Sequence, residues 1–340
     1  MPEQDLPNPA HAEKRPLVSI IVVTFNSKQF LARQIAALNA QTQQNWRLIV
    51  LDNASKLEQR PRAEDLPANA LLIQSERNLG FAAGNNLASK HAKGPFIACL
   101  NPDAFPAPNW LACLLDAAER WPGAAAFGST QIADDDARLL DGAGDEMFGL
   151  GFAYRALHRA PAARIPAERR CFSPCAAAAL YRTDAFHKAG GFAEEFFCYI
   201  EDVDLGYRLR LMGLDCVQAS SAVVSHVGGG AVQSRSGFAE RHGARNRIWS
   251  YVRCTPPLLF WAVLPGHILV TLAILLVHTF SGRGAATLSG VLQGLGGLNI
   301  ALAGRQRVQM ARTRSSADLA RAMIWSPIKA LGRTPKRSRT

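Results

Sequence analysis

Between Leu17 and Trp121, short apolar runs rich in β-branched residues alternate with stretches whose apolar residues recur at helical spacing. Residues 17–25 form the first run. Residues 27–41 follow, with Phe30, Leu31, Ile35 and Leu38 on one helical face, and then a second run at 48–51. The alternation continues through 71–74, a helical 82–93, another run at 96–100, and a helical 108–121 entered through Pro106 and Pro108. Runs this continuously apolar are covered on both faces, so the expected fold class is α/β, a mostly parallel sheet flanked by helices. Ligands of such sheets bind beyond the carboxyl ends of the strands. The residues there are Thr24-Phe25-Asn26, Asp52-Asn53-Ala54-Ser55, the segment from Asn78 to Asn86, and Asn101-Pro102-Asp103.

Past Trp121 the pattern weakens. Residues 131–170, rich in Ala, Asp, Gly, Arg and Pro, read as a long loop or small insertion. Order returns with a run at 176–182, a polar helix at 201–212 stopped by Gly213, and runs at 214–219 and 223–226 that end on His226. Seven cysteines scattered over 340 residues make a poor disulfide framework and read as reduced thiols, Cys171 and Cys175 included. The polar, Pro-containing N-terminus lacks the features of a secretory signal.

Charge narrows the function classes. The net charge is +11, but residues 281–340 hold eleven Arg or Lys and one acid, which leaves the first 280 residues at net +1. A basic nucleic-acid-binding core is therefore disfavoured, and after Phe280 the only aromatic available for base stacking is Trp325. Neither a G-x-G-x-x-G turn after the first strand nor a G-x-x-x-x-G-K-[ST] loop is present, which removes dehydrogenase and P-loop readings.

What remains are strand-end polar groups. Asp52 suits a base or ribose, and Asp103, following the stiff Pro102, suits a divalent metal on a diphosphate. Gly80 and Gly84 permit close backbone approach, with Asn78, Asn85 and Asn86 nearby, although the same residues also make an ordinary helix-opening loop. Glu201, Asp202 and Asp204 crowd one helix start. That is a favourable place for acids in any helix, and, after the apolar 196–200, also a place for a general base in a cleft.

Taken in order, Thr24-Phe25-Asn26, Asp52-Asn53-Ala54-Ser55, Asn78-x-Gly-Phe-Ala-x-Gly-Asn-Asn, Asn101-Pro-Asp103, Gly191-Phe192 with Glu194 to Phe197, and Glu201-Asp202-Val203-Asp204-Leu205 resemble the motif set of family 2 glycosyltransferases with the GT-A fold. The Asn-x-Gly-Phe-Ala motif is similar to that of bacterial rhamnosyltransferases of cell-surface polysaccharide synthesis. The resemblance spans about residues 17–250. It implies that Thr24, Asn26, Asp52, Asn78, Gly80, Gly84, Asn85, Asn101 and Asp103 bind the nucleotide sugar, and that Asp202 is the base. It further implies that Glu201 and Arg182 contact sugar or acceptor, and that Asp103 and His226 hold Mg²⁺ or Mn²⁺. Asn101 replaces one carboxylate of the family's metal motif, and Ala88 and Ala176 stand where Gly is frequent. The implied reaction is inverting transfer from a nucleoside-diphosphate sugar, dTDP-rhamnose foremost, to a lipid-linked or polysaccharide acceptor. The rival readings are a sugar-phosphate nucleotidyltransferase and a non-enzymatic membrane or nucleic-acid-binding protein.

The C-terminal third adds a membrane expectation. Residues 258–280 are mostly apolar and long enough to span a bilayer. A single crossing would leave the basic end opposite the catalytic body, against the positive-inside tendency, so the segment either lies in the interface or returns through 285–303. The expected organisation is a disordered 1–16, a GT-A domain over 17–255, an apolar membrane-associating helical region over 256–304 and a basic tail over 305–340. The tail would face anionic lipid at the cytoplasmic side of the inner membrane.

Overall fold

A computed structural model describes residues 17–228 and 237–335. The expected disorder of residues 1–16 lies outside the described residues, as do Gly229, Gly230 and the last five residues.

The first run becomes β1 (Val18–Thr24), and period-2 alternation divides it between two cores. Ile20 and Val22 face α1 (Lys28–Asn39) and α3 (Trp110–Arg120), which deliver Leu38, Trp110, Leu111 and Leu114 to that side. Ile21 faces the opposite layer with Ile49 and Leu51 of β2 (Trp46–Asn53), against Ala82 and Ala88 of α2 (Gly80–Ser89) and Leu205 and Leu209 of α5 (Glu201–Leu211). Each fully buried Leu or Ile contributes about 1.5–3 kcal/mol, so these two faces fix the strand register.

β1 pairs in parallel with β2 and with β4 (Phe96–Leu100), and β2 pairs in parallel with β3 (Leu71–Ser75). The other half of the sheet is mixed. β11 (Ala178–Arg182) runs antiparallel between β4 and β6 (Ala124–Ala133), and β6 pairs in parallel with β12 (Asp215–His226). Three short strands, β5 (Ala104–Pro106), β7 (Leu140–Ala143) and β10 (Arg169–Arg170), complete a ten-stranded sheet. Only four of its nine pairings are parallel, so the mostly parallel sheet expected from the apolar runs is a mixed one, because apolarity reports burial and not direction. The runs at 214–219 and 223–226 are one strand, β12, with a register shift between Ala219 and Val223.

The segment read as a long loop or small insertion at 131–170 carries a second, two-stranded sheet. β8 (Asp145–Phe148) and β9 (Phe152–Arg155) form a hairpin beside β7. Its turn lies against α6 (Phe238–Cys254) and α7 (Pro257–Phe280), where Gly151 comes so close to Tyr251 and His267 that a Cβ would sit 2.7 Å and 2.8 Å from them.

α7 is 24 residues long with 17% of its apolar stretch buried, and Leu258, Trp261, Leu269, Leu276, Val277 and Phe280 stand exposed on it. α8 (Gly284–Gly296) and α9 (Leu298–Met310) follow as a pair bent by 60°. Position 305 lies inside α9, and residues 305–335, expected as a basic tail, pack on the body of the protein. Arg305 donates to the carbonyls of Val252 and Thr255, Thr313 N–H donates to Leu211 O (2.8 Å), and Ile324 N–H donates to Met147 O (2.8 Å). Local charge density cannot reveal such long-range docking. Arg307, Arg314, Arg321, Lys329 and Arg333 remain exposed on this packed segment.

Candidate functional site

The carboxyl ends of β1, β2 and β4 meet along one rim, as the strand order requires. Thr24 is the register partner of Asp52, and both are buried. One Asp52 oxygen faces Arg60 Nε at 3.4 Å, while the other is sealed from solvent without a hydrogen-bond partner. A buried acceptor left open in this way is available to a ligand N–H or hydroxyl. Asn26, in the left-handed region at φ 51°, receives Lys56 N–H on its side chain (2.9 Å) and donates its own N–H to Ser55 Oγ (2.8 Å), which closes the loops after β1 and β2 on each other.

Asn53, expected only as a motif neighbour, organises the next loop. Its Nδ2 donates to Asn78 Oδ1 (2.8 Å) and Gly80 O (3.1 Å), and its Oδ1 accepts Leu79 N–H (2.7 Å). Gly80 has φ +79°, and a Cβ there would lie 2.5 Å from Phe197 O, so only glycine lets α2 start against the 197–200 loop. Gly84 faces Val23 and Leu51, where it brings α2 close to the sheet. Asn85 is buried and donates to Phe81 O within α2. Asn101 and Asp103 follow β4 on the rim, and Asn101 N–H is held by Ala177 O at 2.8 Å.

Arg182 is elsewhere. It pairs with Phe96 at the start of β4 and donates to Ala118 O and Ala124 O, both at 2.8 Å. That is the opposite end of the strand from Asp103, so the expected contact with sugar or acceptor is corrected to a structural role. Residue spacing could not tell which end of an antiparallel strand would face the crevice.

Asp103 and His226 do meet. β12 brings buried His226 so that Nε2 lies 3.5 Å from Asp103 Oδ1, while Nδ1 is 2.7 Å from Asp141 Oδ2. With Nδ1–H donated to Asp141, the neutral ring would turn its Nε2 lone pair toward Asp103. Burial works against a charge on the ring, but Asp103 and Asp141 outweigh it and raise the His226 pKa. A pair of acids that favours a proton there also favours a divalent cation, so the donor set fits such a cation.

Asp141 comes from β7, within the segment read as a loop. Burial alone would raise its carboxyl; bonds from His158 and His226 and the charge of Arg155 hold it well below the usual range. Arg155, on β9, donates to Asp141 (2.6 Å) and to Cys175 Sγ (3.3 Å). Cys175 Sγ in turn groups with one oxygen each of Asp145 and Asp202, all within 4.8 Å of one another. Arg155 thus joins the His226 end of the crevice to Asp202, and a fixed guanidinium beside the Asp145-Cys175-Asp202 group favours proton exchange over a second cation.

The three acids that open α5 have three fates. Asp202 accepts Ala176 N–H (3.0 Å) and Val203 N–H (2.8 Å), yet burial prevails and raises its pKa. Glu201 is raised well above the usual range by burial and by Asp202. Asp204, although buried, is lowered by Arg208 (2.7 Å) and Arg253 (3.6 Å) and ties α5 to α6. The loop before α5 is strained, with Phe197, Tyr199 and Ile200 all at φ between 64° and 70°. Asn246 on α6, fully buried, holds it by donating to Phe196 O, Cys198 O and Tyr199 O at 2.7–2.9 Å. Asn246 and Arg155 were absent from the sequence reading; the Arg245-Asn246 pair in a helix otherwise lacking amphipathic order was the one visible signal.

Residues 19–189 match the family model described as Glycosyl transferase family 2. An N-acetylglucosaminyl-diphospho-decaprenol L-rhamnosyltransferase of Mycobacterium tuberculosis is 30% identical over 233 residues, covering 62% of this chain and 76% of the relative. A UDP-Glc:alpha-D-GlcNAc-diphosphoundecaprenol beta-1,3-glucosyltransferase of Escherichia coli is 34% identical over 88 residues, 26% of this chain and 35% of the relative. Among solved structures, a mannosyltransferase of Pyrobaculum calidifontis in complex with GDP-Man and Mn²⁺ superposes with a TM-score of 0.54 at 18% identity, over 94% of this chain and 88% of that one. GalNAc-T7 with UDP, GalNAc and Mn²⁺ does so with 0.56 at 14%, over 71% and 48%. The structural likenesses speak for the GT-A fold; with the family match and the mycobacterial relative, they set aside the nucleotidyltransferase and non-enzymatic readings. The chain belongs to glycosyltransferase family 2.

Proposed function

We propose that this glycosyltransferase moves a sugar from a nucleoside-diphosphate donor, dTDP-rhamnose first among the candidates, to a saccharide carried on a polyprenyl diphosphate, with inversion at the anomeric carbon. The observation that carries this reading is the continuous chain of contacts Asp103, His226, Asp141, Arg155, Cys175 and Asp202, which joins a cation-ready end of the crevice to an unusually basic carboxylate. The acceptor class rests on the names of the mycobacterial and Escherichia coli relatives.

In this reading Thr24, Asn26 and the open oxygen of Asp52 receive the base and ribose, with Asn78, the Gly80 turn, Asn85 and Asn101 bordering the donor. Asp103 and His226 would hold the divalent cation, which when bound offsets the negative charge of the departing diphosphate. Arg155 keeps Asp141 charged, and Asp141 keeps the His226 lone pair aimed at Asp103. Asp202 takes the proton of the acceptor hydroxyl, its raised pKa bringing its basicity nearer the operating pH. Glu201, buried behind it, borders the acceptor. With Asp202 activating the acceptor hydroxyl for a single displacement, the anomeric configuration inverts. The exposed apolar side of α7 and the basic surface of 305–335 are read as contacts with an anionic membrane, at its cytoplasmic face.

The test is a donor screen, beginning with dTDP-rhamnose, read as nucleoside diphosphate released with and without Mn²⁺ in the presence of a polyprenyl-diphosphate-linked acceptor. Asp202→Asn is expected to lower kcat by about 10²–10⁴ with donor affinity retained. Full turnover in that variant would remove the assigned base.

A further inference from the structure

The crevice described above makes no use of Arg247, a buried cation without a counter-charge among the described residues. Arg247, on α6, is 9% exposed, and its Nε and Nη2 are sealed from solvent with no hydrogen-bond partner. Its guanidinium lies over the Phe152 ring at 5.2 Å, and among the described residues it makes no ion pair. Burial alone pushes its pKa down to about 10. Taking an arginine out of water without a counter-charge is strongly unfavourable, and a chain tolerates it where an anion arrives during function.

The surroundings state what kind of anion. Across the β8–β9 turn, His267 of α7 stacks on Tyr251 at 4.0 Å and donates Nδ1–H to Leu150 O (2.9 Å). Its Nε2 is buried and unpartnered, and so is Thr271 Oγ1 one turn further along the same buried stripe of α7. Arg247 is close enough for its field to reach His267. A guanidinium suits phosphate oxygens, which take forked N–H donors, and the Thr271 hydroxyl on the same buried stripe of α7 is a further donor without a partner among the described residues. The position suits a lipid-borne phosphate, because α7 is the helix long and apolar enough to cross a membrane.

We propose that Arg247 binds the diphosphate of the lipid-linked acceptor, at the seam where α6, α7 and the β8–β9 turn meet. The proposal rests on the acceptor class argued above. Phe152, under Arg247, is three strand residues from Arg155, about 10 Å along β9. Arg155 touches Cys175, whose sulfur lies within 4.8 Å of the Asp202 carboxylate. β9 therefore runs from Arg247 at its start to the neighbourhood of the base at its end, with the side chains of Phe152 and Arg155 on opposite faces of the strand.

The experiment uses the full chain in detergent micelles, with farnesyl diphosphate as the probe and farnesol, inorganic pyrophosphate and phosphatidylglycerol as comparisons. Farnesyl diphosphate is expected to bind saturably, at least tenfold more weakly to Arg247→Met and with an intermediate loss in Arg247→Lys. Without lipid, Arg247→Met is expected to melt no lower than the parent, since it removes an uncompensated buried charge; a merely structural arginine would give a lower midpoint. Unchanged affinity in Arg247→Met overturns the proposal, as does an equal Arg247-dependence of phosphatidylglycerol binding, which would make this a headgroup contact. Nucleotide-sugar binding is measured in the same samples. Its failure beside intact Arg247-dependent binding of farnesyl diphosphate would sink the glycosyl-transfer reading of the crevice and leave this site standing, and the reverse pattern would do the opposite.

Discussion

The two halves of the crevice are built on different principles. The half from β1 to β4 positions short polar residues by backbone geometry: Asn26 and Asn53 lock neighbouring loops, and each group sits where its own strand ends. The half formed by β7, β9, β12 and α5 holds charges by other charges, with Asp141 serving His226 and Arg155 and with Asp204 serving Arg208 and Arg253. The first arrangement tolerates change one residue at a time. The second passes a change at one residue on to its neighbours, because a buried charge that loses its partner is costly.

The contrast can be broken most severely at Asn246. Asn246→Ala would leave Cys198 O and Tyr199 O without their donor beneath a strained loop, an expected loss of about 4 kcal/mol at about 1–3 kcal/mol per stranded carbonyl. Chemical denaturation measures it, and a change under 1 kcal/mol would show that the loop holds itself. Gly80→Ala tests the seam where the halves touch. Positive φ and the approach to Phe197 predict a loss of about 3 kcal/mol and weaker donor binding, whereas a neutral result by calorimetry would mean the 197–200 loop moves aside freely.

Arg155→Met sharpens the comparison through pH. Asp202 is a carboxylate whose folded pKa is raised, so its burial costs stability as pH climbs from about 3.9 through the raised value, while its ionised form is the active base. The acid limb of kcat/KM should therefore lie above the ordinary carboxylate range. Because Arg155 lowers the Asp202 pKa, the variant should move that limb higher and reduce kcat/KM by about tenfold, the order of 1.4 kcal/mol. An unmoved limb in the pH profile would disconnect Arg155 from the base. The smallest effect is expected at Arg182→Ala, which loses two bonds to helix and strand carbonyls: about 1–2 kcal/mol in a melting experiment, with kcat unchanged. A large fall in kcat there would restore its place near the acceptor.

Legibility follows the same division. Thr24, Asp52 and Asp103 were readable because each follows its own apolar run, and a strand's carboxyl end is a local fact. The cluster of acids was readable after an apolar stretch, but only the family resemblance singled out Asp202; nothing local distinguished it from Asp204, which pairs with Arg208. Asp141, Asp145 and Arg155 were hidden in a polar segment of β7 to β9, whose strands are only four residues long and lack a clean alternation. Asn246 carried no periodic signal at all.

The amino-acid order alone fixed the α/β layering, the strand-end ligand rim, the family motifs and the long apolar helix, since each depends on residues near one another in the chain. Tertiary structure decided the antiparallel insertion of β11, the far-end position of Arg182, the docking of residues 305–335, and the meeting of Asp141 with His226 and of Arg155 with Cys175. Those depend on charges and carbonyls brought together from distant segments, whose energies exist only once water has been excluded between them.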